Sequence, residues 1–241
     1  MPQNNKIIAI IPAYNEGSKT AEVVKKFPLG LVDEILVIND GSADDTCRAV
    51  AATGRATILQ SQVQQGIGFA IRGGLEYALK NNYDIVVVMA GNGKDNPVEI
   101  SRLVKPIIEG GCDYVQGSRY LSGGGYGKMP LHRFLFTKIY SFFVRLLYGQ
   151  KITDGTNGFR AYKTDILKNK EINLYQDWLK ETLEYYLSIK VLLLNYKVIE
   201  VPVTKLYPQG VSYKNYTKVR PFSGWLKRLK PLFLLRLGTK K

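Results

Sequence analysis

Cysteine and histidine are scarce in this chain of 241 residues, which has only Cys47, Cys112 and His132. Two cysteines far apart in sequence, each beside an apolar segment, argue against a disulfide framework or a cysteine zinc site and predict a reducing compartment. A lone histidine argues against a multi-histidine metal centre. Long uncharged apolar runs are missing too: none reaches the roughly 18 residues that a spanning helix requires. The run in MPQNNKIIAIIPAYNE is too short, and too soon followed by Asn15 and Glu16, for a signal peptide. The protein is therefore expected to be made and kept in the cytosol. Repeats and low-complexity tracts are absent, and 45% hydrophobic content supports a real core.

Acids are missing from two stretches. Tyr114 to Thr153 carries six Lys or Arg and no Asp or Glu, and Val201 to Lys241 carries ten and none. These sixteen cations exceed the net charge of +14, so the rest of the chain is slightly acidic and the basic charge is local. Such a field suits nucleic acid, an anionic membrane surface or a phosphorylated substrate. Nucleic acid is disfavoured, because the basic segments carry leucines and phenylalanines and no reader motif.

The pattern that is present centres on Ile85 to Pro97, IVVVMAGNGKDNP. An apolar run without polar alternation predicts a central strand covered on both faces, and the loop at its carboxyl end is where a ligand of an open α/β sheet binds. Strands are also expected over Lys6–Pro12, Glu34–Asn39, Ala56–Gln60, Asp113–Gly117 and Lys197–Val203. Helices are expected over Ser18–Phe27 with Ser18 as N-cap, after Ser42 with Asp44 and Asp45 in the first turn, and over Phe69–Lys80, Val98–Glu109 and Asp177–Leu194. The alternation implies an α/β fold with parallel pairing through right-handed crossovers. Gly66-Ile67-Gly68 follows the third strand and lacks the last glycine of a dinucleotide loop, which disfavours an NAD site. Asp154 to Arg160 is a compact polar loop.

LHRFLFTKIYSFFVRLLYG predicts an amphipathic helix that is either core-facing or interfacial. The tail, FSGWLKRLKPLFLLRLGTKK, pairs Trp and Leu with basic residues and favours an anionic bilayer surface, its alternative being leucines packed on the domain. Pro231 is expected to break or kink any helix there. One catalytic domain over 1–204, including the amphipathic helix within 128–150, and a basic amphipathic membrane-surface segment over 205–241 are expected, to which the resemblance given below adds a lid role for the segment.

The ordered set IPAYNE, VINDGSADDT, QGIGFAIRGGL, MAGNGKDNPVEI, GSRY, LHR and DGTNGFRAY resembles the family 2 glycosyltransferases, and among them the dolichyl- and polyprenyl-phosphate mannosyl and glucosyl synthases. The resemblance covers about Ile7 to Thr204. It implies a GT-A fold, a Rossmann-like three-layer sandwich with a mostly parallel sheet and peripheral amphipathic helices, that binds a UDP or GDP sugar. Pro12, Ala13, Tyr14 and Glu16 would line the base and ribose pocket. Asp40 would hold base or ribose, its alternative being the N-cap of the next helix, and Gly41, Ser42 and Gly68 would allow close approach. In the family the fourth strand ends in Asp-x-Asp, whose carboxylates hold Mg²⁺ or Mn²⁺; here Ala90 and Asn92 occupy those places, and Lys94 replaces a Gln. Asn92 and Asp95 are weak metal candidates. Either Lys94 supplies the positive charge directly, the preferred reading, or Asp95 partly replaces the lost ligands. Ile67 replaces a usual lysine.

On the acceptor side the resemblance implies that Arg119, Arg133 and Lys138 recognise a polyprenyl phosphate, with Asp154 and Arg160 closing a pocket or forming a loop salt bridge. Ser212 and Lys214 belong to a displaced lid motif that lacks its arginine. The expected activity is inverting hexosyl transfer to polyprenyl phosphate on the cytoplasmic membrane face, with a membrane protein or a second copy as further partner. Two rivals remain open: transfer to a sugar hydroxyl in cell-surface polysaccharide assembly, with Glu184 or Asp154 as base, and a non-catalytic glycosyltransferase-like subunit.

Overall fold

The computed structural model describes residues 5–207 and 223–240. Ser212 and Lys214 lie outside these residues. The fold is a seven-stranded sheet in the order β3-β2-β1-β4-β6-β5-β7. Its strands are β1 (Ile7–Ala13), β2 (Glu34–Asn39), β3 (Thr57–Gln60), β4 (Ile85–Val88), β5 (Tyr114–Ser118), β6 (Arg160–Lys163) and β7 (Val198–Pro202). All pairs are parallel except those of β6, which runs antiparallel between β4 and β5. The helices are α1 (Ser18–Lys25), α2 (Thr46–Ala51), α3 (Ile67–Lys80), α4 (Ile100–Ile108), α5 (Leu131–Tyr148), α6 (Leu183–Leu193) and α7 (Ser223–Arg236).

Alternation along the strands builds the three layers. Ile8, Ile10, Leu36, Ile38, Val86 and Val88 face a core shared with α3, α5, α6 and α7. Their neighbours Ile7, Ala9, Ile11, Ile35, Val37, Ile85 and Val87 face a second core under α1, α2 and α4. With side chains pointing alternately to two apolar layers, the central strands have no polar positions to spare, which is why they read as continuous apolar runs.

Several expectations are corrected. Ser18 is the first residue of α1, not its cap: Gly17 takes that place, at φ 53°, and there is no side-chain cap bond. Asp44 and Asp45 precede α2, which starts at Thr46. Asp44 accepts hydrogen bonds from the amides of Gly17 (2.9 Å) and Thr46 (3.1 Å), tying the β1 and β2 loops together. Arg160 is not in a loop but opens β6. Pro231 does not end α7, which runs through it to Arg236 with Pro231 buried. The helix tolerates it because packing compensates: Trp225 stacks on Phe136 of α5 at 5.1 Å and Phe233 meets Phe143 edge-on at 5.4 Å.

Helix α5 is core-facing and exposed-apolar at once. Phe136, Tyr140 and Val144 are buried, while Leu131, Leu135, Ile139, Phe142 and Leu146 stay 71, 50, 48, 60 and 64% exposed. Their spacing places those five on one helical stripe. Among the described residues no helix is long and apolar enough to cross a membrane.

Candidate functional site

The sheet reverses its direction of growth at β1 and β4: the chain winds outward from β1 to β3, then returns to lay β4 on the other side of β1. Such a switch point leaves a crevice between the loops at the carboxyl ends of the two strands. Tyr14 and Glu16 follow β1, and Ala90 to Asp95 follow β4.

On the β1–β2 side the loops hold each other. The Asn15 amide donates to Ser42 Oγ at 2.9 Å and the Ala43 amide to Asn15 Oδ1 at 2.9 Å. Ser42 also contacts Asn39 Oδ1 through its hydroxyl. Pro12 and Ala13 end β1 beneath this knot. Asp40, buried, does not cap the helix that follows it. Its Oδ1 accepts from the Gln65 amide at 2.7 Å and its Oδ2 from the Gly66 amide at 2.8 Å, immediately before α3. The glycines serve packing: a Cβ at Gly41, where φ is +70°, would stand 2.6 Å from the Gln64 nitrogen, and one at Gly68 would stand 2.1 Å from the Leu179 carbonyl oxygen. No L side chain fits either place without backbone movement.

After β4, Ala90 donates its amide to Asp95 Oδ2 at 3.0 Å, and Asn92 Oδ1 makes a long contact to the Lys94 amide at 3.4 Å. Lys94 is buried, with its ammonium 5.3 Å from the Tyr207 ring centre. Burial, then the charges of Lys205 and Arg133, push its pKa down to about 7, against the pull of Asp95 and Glu16. Asp95 is buried too and forms an ion pair with Lys205, whose ammonium also donates to Asn157 Oδ1 at 3.1 Å. The backbone carries the pairing: Asp95 and Lys205 face each other in an antiparallel bridge, and the Leu206 amide donates to the Lys94 carbonyl at 3.0 Å. Burial lowers the Lys205 pKa, opposed by Asp95.

The far wall is a buried ion pair. Arg119 follows β5, and its Nε and Nη2 donate to the two oxygens of Asp154, each at 2.6 Å. Nη2 also donates to Thr156 Oγ1 at 2.9 Å, while Nη1 has no hydrogen-bond partner among the described residues. Burial opposes charge on Asp154, but Arg119 outweighs it and holds the carboxyl below its ordinary value. Glu200 of β7 fixes the loop by accepting from the amides of Thr153 (2.7 Å) and Asp154 (2.8 Å). Arg133, in the first turn of α5, lies with its guanidinium 6.0 Å from the Tyr207 ring, on which Lys94 also bears. Lys138 is exposed and rests 3.6 Å over the Tyr120 ring.

Lys94, Arg119, Arg133 and Asp154 are thus brought to one end of the sheet, with Tyr14, Glu16, Ala90 and Asn92 on the facing loops. Arg160 lies at the same end, opposite Val88, the last residue of β4, but its side chain is engaged with Tyr114 and Glu184. Arg160 is buried, donating to Tyr114 Oη (2.8 Å) and the Glu184 carbonyl (2.9 Å), and its Nε lies 3.5 Å from Glu184 Oε1. Sequence reasoning missed Lys205, Tyr207 and Asn157. Only the lysine directly after the strand sequence VPVT signalled that a charge would be carried into the sheet's end.

The described residues do not fit a divalent metal. Hard cations seek carboxylate oxygens. Here the acid at the end of β4, Asp95, is taken by an ammonium and an amide, Ala90 has no donor side chain, and a second ammonium adjoins. Among the described residues no group of three or more His, Cys, Asp or Glu is placed to hold a metal.

Comparison with known proteins bears on the family and the fold. The polyprenol monophosphomannose synthase of Mycolicibacterium smegmatis is 30% identical over 222 residues, covering 89% of this chain and 83% of that protein. The UDP-N-acetylglucosamine–dolichyl-phosphate N-acetylglucosaminyltransferase of Methanococcus voltae is 28% identical over 219 residues, with 84 and 86% covered. Among solved structures, glucosyl-3-phosphoglycerate synthase of Mycobacterium tuberculosis, in complex with Mn²⁺, UDP and glucosyl-3-phosphoglycerate, superimposes with a TM-score of 0.70 at 20% identity, over 99% of this chain and 82% of that one. The sheet with its one antiparallel insertion is accordingly a GT-A fold. The family model described as "Glycosyl transferase family 2" matches residues 8–169, more than half of the sequence, and the chain therefore belongs to the family 2 glycosyltransferases.

Proposed function

We propose that this glycosyltransferase moves a hexose from a nucleotide-diphosphate sugar to a polyprenyl phosphate, by a single inverting displacement. The observation that carries the reading is the position of Arg133. It stands in the first turn of α5 beside Tyr207 and Lys94, and from that turn an exposed apolar stripe runs along the same helix. A phosphate at Arg133 would sit at a helix N-terminus, where the backbone dipole favours an anion, with its isoprenoid chain leading toward Leu131 and Leu135. The M. smegmatis and M. voltae relatives carry polyprenol and dolichyl-phosphate names.

The chemistry asks little of the protein. One oxygen of the lipid phosphate forms the new bond to the anomeric carbon as the bond to the nucleoside diphosphate breaks, and the electron pair leaves with that diphosphate. A phosphate monoester is already anionic at neutral pH, so no general base is required. Arg133 orients it in line, and holding the two reactants in that geometry supplies a large share of the rate. Lys94 lies where charge grows on the leaving group and stabilises it. The engagement of Asp154 by Arg119 and the closeness of Glu184 to Arg160 favour this reading over transfer to a sugar hydroxyl, which needs a carboxylate base.

The test is transfer from labelled UDP and GDP sugars to polyprenyl phosphate in detergent, read as a lipid product labile to mild acid. Arg133→Ala is expected to lower kcat/KM by about a hundredfold, the loss of a charge-assisted contact in a partly desolvated site. Product on sugar hydroxyls alone, stable to mild acid, would sink the reading.

We place the chain on an anionic membrane surface through α5 and α7. The exposed stripe shares α5 with Lys138 and Arg145, and α7, which packs on α5, adds Lys230 and Arg236, with no acid in either helix; Lys227 is taken by Glu181 at 3.0 Å. Apolar insertion and lipid charge then act together. The protein is expected to pellet with phosphatidylglycerol vesicles but not with phosphatidylcholine vesicles. Leu135→Ser/Phe142→Ser should weaken partitioning about tenfold or more. Equal pelleting of this variant and the natural chain would remove α5 from the contact.

A further inference from the structure

Resting on the nucleotide-sugar reading, we propose that Glu184 is a specificity-determining residue whose carboxylate accepts hydrogen bonds from hydroxyls of the donor hexose. Glu184 stands in the first turn of α6, with its carboxylate against Gly158. Gly158 comes two residues before Arg160, which is paired with Val88, the last residue of β4. The segment leading into α6 packs on the start of α3: a Cβ at Gly68 would stand 2.1 Å from the Leu179 carbonyl oxygen, and one at Gly66 would stand 3.0 Å from Lys180 Cγ. The first turn of α6 is thus bracketed by the end of β4, whose loop the reading gives to the diphosphate, and by the start of α3. A hexose joined to that diphosphate belongs in such a place.

The fold leaves the hydrogen-bonding capacity of this carboxylate open. Its cationic neighbour Arg160 gives Nη1 to Tyr114 Oη and to the Glu184 main-chain carbonyl, and Nη2 to the Asn157 carbonyl. Arg160 Nε faces Glu184 Oε1 at 3.5 Å, and among the described residues neither atom has a hydrogen-bond partner. The ion pair balances charge without supplying a donor. A carboxylate only accepts, and one kept largely buried without donors is a cost that a ligand's donors relieve. Hydroxyls suit the place better than a cation, because Arg160 already brings the positive charge. Gly158 adds a second observation. Its φ is not positive, so its backbone does not call for glycine; yet a Cβ there would press on Oε1 at 3.2 Å and on Oε2 at 3.3 Å. The missing side chain keeps space beside both oxygens, and the Glu184 side chain retains 17% of its surface.

The experiment is calorimetric titration of the whole chain with UDP, GDP, UDP- and GDP-hexoses and their monodeoxy analogues, each with Mn²⁺ and in excess EDTA. For the natural chain, deoxygenation at one or two ring positions is expected to weaken binding by about tenfold or more. Glu184→Gln should bind the bare nucleotide as the natural chain does and the full nucleotide sugar about tenfold more weakly. The same deoxygenation should then cost this variant less than about twofold, the coupling that marks a direct contact. Gly158→Ala keeps the carboxylate but crowds it, and should also lose affinity for the sugar while sparing the nucleotide. It carries the readout should Glu184→Gln fail to fold. In transfer to polyprenyl phosphate, the loss in Glu184→Gln should fall on the donor KM, with kcat held within about threefold.

Deoxygenation penalties that persist in Glu184→Gln, or that are absent from the natural chain, would overturn the inference while leaving the transferase reading in place. Equal losses for bare nucleotide and nucleotide sugar, accompanied by a lower Tm, would assign Glu184 a purely structural role and overturn it too. A collapse of kcat with donor binding unchanged would make Glu184 a general base, overturning the inference and favouring a hydroxyl acceptor. Absence of nucleotide binding under all conditions would overturn it together with the reading on which it rests.

Discussion

Asp154→Ala is expected to destabilise the folded chain by about 3 to 5 kcal/mol, the cost of leaving a buried charge without its partner. Arg119 is 1% exposed and Asp154 fully buried, so neither is screened by water. Removing the carboxylate strands a guanidinium whose Nη1 already has no hydrogen-bond partner among the described residues. It also releases the loop that Glu200 ties to β7. Replacing both members, as Arg119→Met/Asp154→Leu, should recover most of the loss, because an apolar pair needs no desolvation. Urea unfolding followed by tryptophan fluorescence reads both variants. If the single variant unfolds at the natural midpoint, the pair is not a keystone of this wall. The pH sign is set by the lowered carboxyl of Asp154. The pair's contribution is present above the ordinary carboxylate range and declines as pH falls through the lowered value. If Arg119 also meets the acceptor phosphate, the double variant regains stability without regaining transfer.

Binding of a nucleoside diphosphate is expected to take up nearly one proton per site at pH 8. In the unliganded chain Lys94 titrates near 7 because of burial first and the charges of Lys205 and Arg133 second. At pH 8 it is therefore mostly neutral, and an anion beside it restores the proton. By linkage, affinity should weaken by about tenfold for each pH unit from 7 up to the raised pKa of the complex. Calorimetry in buffers of different ionisation enthalpy measures the uptake. Lys94→Arg separates the lysine from the ligand's own phosphate protons, since arginine stays charged: it should bind with the uptake removed. Identical uptake in both chains would assign the proton elsewhere. For stability the sign is reversed from that of a paired lysine. The folded state binds fewer protons than the unfolded one between about 7 and the ordinary 10.5, so the penalty on folding is full below pH 7 and is relieved as pH rises through that window.

Much of this architecture is written locally. Glu34–Asn39 is a strand in sequence and in structure because the four apolar residues between Glu34 and Asn39, alternating between the two layers, have no other use than a doubly covered sheet. The loop after β4 announces itself by the abrupt change from valine to glycine, asparagine and lysine. The family motifs, from IPAYNE to DGTNGFRAY, carry the fold with them. Other features are not local. The four residues of β6 follow a polar loop and show no period long enough to mark a strand; they become one because β4 and β5 leave a gap that an antiparallel segment fills. Pro231 looks like a helix breaker until Trp225 and Phe233 dock on α5.

By itself, then, the sequence determined the layers, the parallel half of the sheet and the concentration of basic charge, because side-chain period and composition act over neighbouring residues. Tertiary structure alone decided which charges meet. Asp95 was a weak metal candidate in the sequence, and only the fold brings Lys205, 110 residues away, opposite it. Asp40 reads in sequence as a helix cap or a ligand group, and only the fold shows that it caps nothing in α2 and accepts the amides of Gln65 and Gly66. Hydrogen bonds and ion pairs across the fold depend on distance in space, and a carboxylate carries no mark in the sequence of the cation that will reach it.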